Sequence, residues 1–202
     1  MIIKTVAQLR ELIAEPNPVV AYKVQRSLTA QAKEFIARSP FLLLTTVNRN
    51  GAPSVSPKGD GPGFVLVEDD HTICIPERKG NRLIFGLQNM LENPNVALIF
   101  LLPGTGETLR IGGVVELVND AELNQKLTAR NQPALLAIRI RVRESYFHCA
   151  KALLRSDLWN LPQHSEKLNI SFGEEIARNQ GLTSGEINEF DAQVAQRYKT
   201  DL

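Results

Sequence analysis

Apolar residues recur at helical spacing at Val6, Leu9 and Ile13, with polar and charged residues between them, until Pro16 and Pro18 break the pattern. A second helical pattern places Ala32, Phe35 and Ile36 together after Thr29, a capping residue type, and Ser39-Pro40 stops it. From Phe41 the texture becomes β-branched and apolar. FLLLTTV and PSVSPKG flank Asn50-Gly51, the dipeptide of a hairpin turn, and FVLVE and TICIP flank Asp69-Asp70 in the same way. Leu83, Ile84, Leu87, Met90 and Leu91 then return to helical spacing and end at Asn93-Pro94, after which VALIFLLPG is an apolar run of strand length.

The next strand, ETLRIGGVVELV, carries Gly112-Gly113, a pair that inside a strand predicts a bulge or sharp bend. Asp120 caps a helical DAELNQKLTARN. The clearest alternation follows, with Ile138, Ile140 and Val142 on one face and Arg139, Arg141 and Arg143 on the other, so that strand has one buried side. CAKALLRSDLW turns helical, and polar helices from Phe172 onward carry Ile176, Ile187, Phe190 and Val194 as sparse apolar points. The expected fold is mainly β with peripheral helices (α+β). Six or seven hairpin-connected strands with one interposed helix predict a small antiparallel barrel, because closure removes the exposed edges of an open sheet. Residues 1–39 are expected as a helical extension, 40–161 as the barrel, and 162–202 as a second helical extension packed on it.

Composition narrows the class. In 202 residues, 23 Lys+Arg against 22 Asp+Glu leave a net charge of +1, which gives no global case for nucleic-acid binding. The Arg139, Arg141, Arg143 face is the one local feature for that reading. The apolar run Val96 to Leu102 is far shorter than the roughly 20 residues that cross a bilayer, and the N-terminus lacks the pattern of a secretory signal. Cys74 and Cys149 match no metal-ligand or redox spacing, so both are expected as unpaired thiols in a reducing cytoplasm. His71, His148 and His164 are scattered, and neither a metal site nor a hydrolytic arrangement is expected from them.

Three polar clusters are candidates for chemistry. Arg78, Lys79, Gly80, Asn81 and Arg82 lie between the end of a strand and a helix, where unpaired backbone N–H groups and the helix dipole favour an anion. They read either as a phosphate cradle or as a solvated basic turn. Ser54 to Asp60 forms a strand interrupted by Pro57. It presents hydroxyls, free backbone groups and Lys58 either to the edge of a polar heterocycle or to solvent at a sheet edge. Tyr146, His148, Lys151, Arg155, Ser156 and Trp159 surround the final strand-to-helix turn. There Lys151 and Arg155 share a helix face toward an anionic group or toward water.

The succession SVSPKGD, TICIPERKGNRLIFGLQNMLENPNVALIFLLPG, ETLRIGG and YFHCAKALLRSDLW resembles the pyridoxamine 5′-phosphate oxidase-like flavoproteins, across about Pro40 to Leu161. The resemblance implies a six-stranded antiparallel split β-barrel and a homodimer holding FMN at the subunit interface, acting on a small-molecule substrate. It places Ser56, Pro57, Lys58 and Gly59 along the flavin ring and ribityl chain, and Arg78, Lys79 and Arg82 on the phosphate with Asn81 beside them. Asn89 matches a helix amide that touches the ring, and Thr108 and Arg110 match a strand that reaches the partner subunit's flavin. His148, Lys151, Arg155 and Trp159 fall in the region that completes the pocket. The residues that hold the phosphate and pyridine ring of the substrate in the oxidases themselves find no match. The resemblance therefore carries the cofactor and not the vitamin B6 substrate. An FMN-dependent oxidoreductase is the expected function, with a non-catalytic FMN-binding sensor or storage protein as the alternative.

Overall fold

The second helix and the first strand are joined by one buried serine. Thr29 accepts a hydrogen bond from the Ala32 N–H at 3.1 Å and caps α2 (Ala30–Arg38), which buries Ala32, Phe35 and Ile36. At its other end the fully buried Ser39 hydroxyl contacts the carbonyls of Phe41, at 2.9 Å, and Leu101, at 2.6 Å. The computed structural model describes residues 2–164, 166 and 168–200. Before α2 lies α1 (Val6–Leu12), which buries no residue of its own.

Seven strands follow: β1 (Phe41–Val47), β2 (Pro53–Gly59), β3 (Leu66–Asp69), β4 (Thr72–Glu77), β5 (Asn95–Leu101), β6 (Thr108–Val118) and β7 (Leu136–His148). They form one sheet in the order β2-β1-β5-β6-β7-β4-β3, and every neighbouring pair is antiparallel. Both hairpins, the bulge at Gly112/Gly113 and the capping of α4 (Ala121–Lys126) by Asp120 form as expected. Leu42, Leu44, Ile73, Ile75, Leu98, Phe100, Leu109, Ile111, Ile138 and Ile140 line the inner face, all nearly inaccessible. Each contributes roughly 1.5–3 kcal/mol through apolar burial. On the outer side of β4 and β7, α4 packs Leu123 and Leu127 against Cys74 and Ala137. Burial there pushes the Cys74 thiol up to about 11, so it behaves as a small hydrophobe. Cys74 and Cys149 are both unpaired.

The six-stranded barrel is not what forms. The sheet has seven strands and stays open, with β2 and β3 as its edges. β3 pairs only with Thr72, Ile73 and Cys74, so the second half of β4 has no ladder on that side. β2, with Pro53 and Pro57 unable to donate, ends the other side. The sheet nevertheless curls until side chains bridge this gap. Lys58 of β2 reaches Glu77 of β4 at 2.6 Å, and Asp60 reaches Arg78 at 3.2 Å.

The helix after β4 also starts later than its apolar spacing predicts. α3 spans Phe85–Glu92, because Arg82 and Ile84 have φ values of 63° and 43°. Left-handed backbone at a β-branched residue is uncommon and cannot continue a helix. After β7 come α5 (Lys151–Ser156), α6 (Phe172–Gln180) and α7 (Ser184–Thr200). The last two pack on each other where Gly173 meets Ile187 and donates its N–H to Asp191 at 2.8 Å. Among the described residues, no helix is long and apolar enough to cross a membrane.

Candidate functional site

Curling of the sheet brings two polar clusters, separated by some twenty residues of chain, into one cleft of about 420 Å³. Ser56, Pro57, Lys58 and Gly59 line one wall, and Arg78, Lys79, Gly80 and Asn81 line the other. In the register of β2 on β1, Lys58 stands opposite Leu42 and Ser56 opposite Leu44. Both side chains therefore leave the sheet on the face that carries the core. Ser56 also lies beside the first turn of α3, where its hydroxyl would be 3.5 Å from a Cβ at Gly86.

The basic turn is not a bare cation cluster. Lys58 is held by Glu77 and the Nε of Arg78 by Asp60, and all four side chains are largely withdrawn from solvent. Lys79 is the cation left over. The Nη1 of Arg78 is buried and has no hydrogen-bond partner. An unmet buried donor costs on the order of 1–3 kcal/mol, more at a charged group, so this nitrogen is set for an acceptor the chain does not supply. The first-turn N–H groups of α3 have no side-chain cap, Gly86 of that turn lies beside Ser56 of the cleft, and the space next to Gly80 is open. A phosphate-bearing group fits this donor set.

Two further cavities meet the cleft at Asp60 and Arg78. One of about 460 Å³ runs past Phe64 and Val65 to Lys126 and Leu127, and one of about 220 Å³ is bounded by Arg130, Gln132 and Leu135. The tight turn that presents Arg130 has left-handed backbone at Arg130 and Asn131. Glu77, Arg130 and Gln132 are site residues that sequence reasoning missed. No local signal distinguishes them: only the curl of the sheet brings Glu77, the chain neighbour of Arg78, to Lys58, and only the loop after α4 brings Arg130 and Gln132 to Arg78.

Other expected residues are engaged within the chain or lie elsewhere. Arg82 is exposed and does not line the cleft, because its backbone turns away before α3. The Asn81 side chain accepts from the Leu83 N–H at 3.1 Å. Asn89 donates to the buried Thr46 hydroxyl at 3.0 Å, pinning α3 to β1. Thr108, Arg110 and His148 sit together at one end of β6 and β7, paired as Thr108 with His148 and Arg110 with Tyr146. His148 has its pKa held below the ordinary value, first by burial and then by the nearby Arg110 and Lys23 charges. Trp159 donates to the Thr105 carbonyl at 2.8 Å, while Lys151 and Arg155 are exposed on α5. The expected residues thus form two groups on one chain. Arg139 is taken up by Glu68 at 3.1 Å, which interrupts the arginine stripe of β7. Among the described residues, no group of three His, Cys, Asp or Glu side chains is placed to hold a metal.

The family model for pyridoxamine 5′-phosphate oxidase matches residues 28–149, more than half of the chain. The chain belongs to the pyridoxamine 5′-phosphate oxidase family. Among solved structures, it is similar to HupZ of Group A Streptococcus, with 19% identity over 59% of this chain and 92% of that one at a TM-score of 0.48. It is also similar to an FMN-binding protein from Syntrophomonas wolfei, with 15% identity over 57% and 86% of the two chains at a TM-score of 0.44. The general stress protein 26 of Bacillus anthracis is 17% identical over 57% and 88%, at a TM-score of 0.45. No curated protein matches the chain.

Proposed function

We propose that this protein binds FMN and works as an oxidoreductase, moving hydride or electrons between a reduced donor and a small-molecule acceptor. The observation that carries this reading is the buried, unpartnered Nη1 of Arg78 in a cleft lined by Ser56, Lys58, Gly59 and Lys79. Arg78 and Lys79 would hold the phosphate, with the uncapped N–H groups of α3 adding to the positive field. Ser56, Pro57, Lys58 and Gly59 would follow the ribityl chain and ring edge. When bound, the flavin supplies the redox chemistry, and the chain supplies binding, orientation and electrostatics.

The second group, Thr108, Arg110 and His148 with Lys151, Arg155 and Trp159 nearby in sequence, would serve the flavin of a partner subunit. This makes the working unit a homodimer with two composite sites. In this reading the FMN-binding domain covers residues 40–161, and 1–39 and 162–202 are helical extensions. Exposed apolar side chains at Val55 on β2 and at Leu83, Ile84 and Phe85 at the start of α3 support a surface that a partner covers.

An absorption spectrum of the purified protein, before and after denaturation and with the released compound identified by mass, tests the cofactor. Release of FMN is expected, and a colourless protein that also ignores added FMN overturns the reading. A non-catalytic flavin carrier is favoured by one observation: the acids facing the cleft, Glu77 and Asp60, are each tied to a cation. Repeated turnover of a flavin reduced by NAD(P)H with an added acceptor decides against that second reading.

A further inference from the structure

At one end of β6 and β7, on the face turned away from the core, the chain gathers positive side chains that no ion pair among the described residues takes up. Arg110 stands opposite Tyr146 and Thr108 opposite His148. Directly opposed residues of an antiparallel pair project from the same side of the sheet. The intervening Leu109, Ile111 and Phe147 belong to the core, so the four share the outer side. The segment before α2 adds a second cation beside Arg110. Gln25 and Ser145 exchange both backbone hydrogen bonds, at 2.9 and 2.8 Å, which fixes the Pro18–Lys23 turn at β7. Lys23 Nζ is thereby held 5.3 Å from the Tyr146 ring centroid.

Two nitrogens here are buried and lack any hydrogen-bond partner, Arg110 Nε and His148 Nδ1. Both side chains keep an accessible part. Among the described residues, none of Lys23, Arg110 and His148 is in an ion pair. The acid on the next pair along, Glu144 opposite Gly112, has its carboxylate over that glycine, where Oε1 would be 3.1 Å from a Cβ. Positive groups left unpaired at one spot are the ordinary signature of an anion site, since a bound anion supplies both charge and acceptors. A cavity of about 170 Å³ adjoins this spot through Lys23 and Tyr146; Gln25, Thr29 and Gln31 give it polar groups and Ala32, Leu109 and Phe147 an apolar side, which leaves room for the body of a small molecule.

We propose that Lys23, Arg110 and His148, with the Tyr146 ring beside them, form a binding site for the carboxylate or phosphate of a small organic acid. None of these four lines the Arg78 cleft. The site itself stands on its own geometry. Its role as the end of the active site that recognises an acidic substrate rests on the flavin reading above, in which Arg110 and His148 stand beside the partner subunit's flavin and the acid would bind next to that flavin. Lys23 is the decisive residue, because it comes from outside the sheet and completes the charge only when the 18–25 segment is in place.

The test uses the full chain as purified, at constant ionic strength in chloride, with inorganic phosphate and acetate as probes. The His148 imidazole proton resonances, assigned by their loss in His148→Gln, are followed during titration. A saturable shift with at least one probe is expected, with affinity falling about tenfold in Lys23→Met through loss of a charge-assisted contact. Lys23 is exposed, so that variant is expected to fold, which its circular dichroism checks. Tighter phosphate binding assigns phosphate esters, and tighter acetate binding assigns carboxylic acids. No saturable shift with either probe, or an unchanged affinity in Lys23→Met, overturns the site. FMN titration by fluorescence quenching on the same samples keeps the two readings apart. Absent FMN binding sinks the flavin reading and leaves the anion site standing, and FMN binding without anion binding does the reverse.

Discussion

Lys58 and Glu77, on strands that share no hydrogen bond, form an ion pair at 2.6 Å with each side chain only 19% exposed. With Arg78 and Asp60 beside it, this pair bridges the gap that the backbone of the open sheet leaves. Lys58 and Arg78 are also the cleft's main cations, so holding the sheet curled and receiving an anionic ligand fall to the same side chains.

Breaking the bridge on one side is therefore expected to destabilise the fold. Lys58→Met leaves Glu77 largely buried and unpaired, at a cost of about 1–3 kcal/mol, below that of a fully buried pair because some solvent reaches it. Adding Glu77→Met should restore much of the loss. Urea unfolding of the two single variants and the double variant measures the coupling, and additive losses would show that the pair is not coupled.

The two arginines of the basic turn should behave differently. Arg78→Ala is expected to weaken FMN binding tenfold or more, since a charge-assisted hydrogen bond of roughly 1.5–3 kcal/mol is lost. Arg82→Ala should leave affinity close to that of the unaltered protein, because Arg82 does not line the cleft. Fluorescence quenching of FMN by each variant gives the comparison, and equal losses would place the phosphate nearer to α3.

Gly113 has no room for a side chain. A Cβ there would lie 2.5 Å from the Arg141 carbonyl oxygen and 2.7 Å from Ile140, and backbone at a bulge cannot step aside. Gly113→Ala should cost about 3 kcal/mol or more. Gly80→Ala meets nothing within 4 Å and should be close to neutral. Thermal unfolding followed by circular dichroism separates the two.

His148 should make stability depend on pH in one direction. Burial, then Arg110 and Lys23, keep its folded-state pKa below the ordinary 6.5. On acidification the unfolded chain takes up this proton before the folded one does. The contribution is thus complete above pH 6.5, declines as the pH falls below it, and levels off below the folded-state pKa. His148→Gln should remove that part of the slope in a pH series of urea unfolding curves.

What the sequence determined by itself is the part of the fold with local causes. The caps at Thr29 and Asp120 close onto N–H groups three residues ahead, the hairpins form around their turn residues, and the Ile138, Ile140, Val142 alternation buries one face of β7. Each signal and its effect lie within one element, so spacing suffices to read them. Both polar clusters of the cleft were legible as residue types in the same way. The tertiary structure alone decided that the sheet stays open with seven strands, that Glu77 and Asp60 neutralise Lys58 and Arg78, and that α3 begins only at Phe85. It also decided that Arg110 and His148 keep company with Lys23 rather than with Arg78. These outcomes depend on how far a twisted sheet curls and on which distant side chains then meet. No short stretch of sequence encodes that, because the interacting groups belong to different strands and to the segments that cross them.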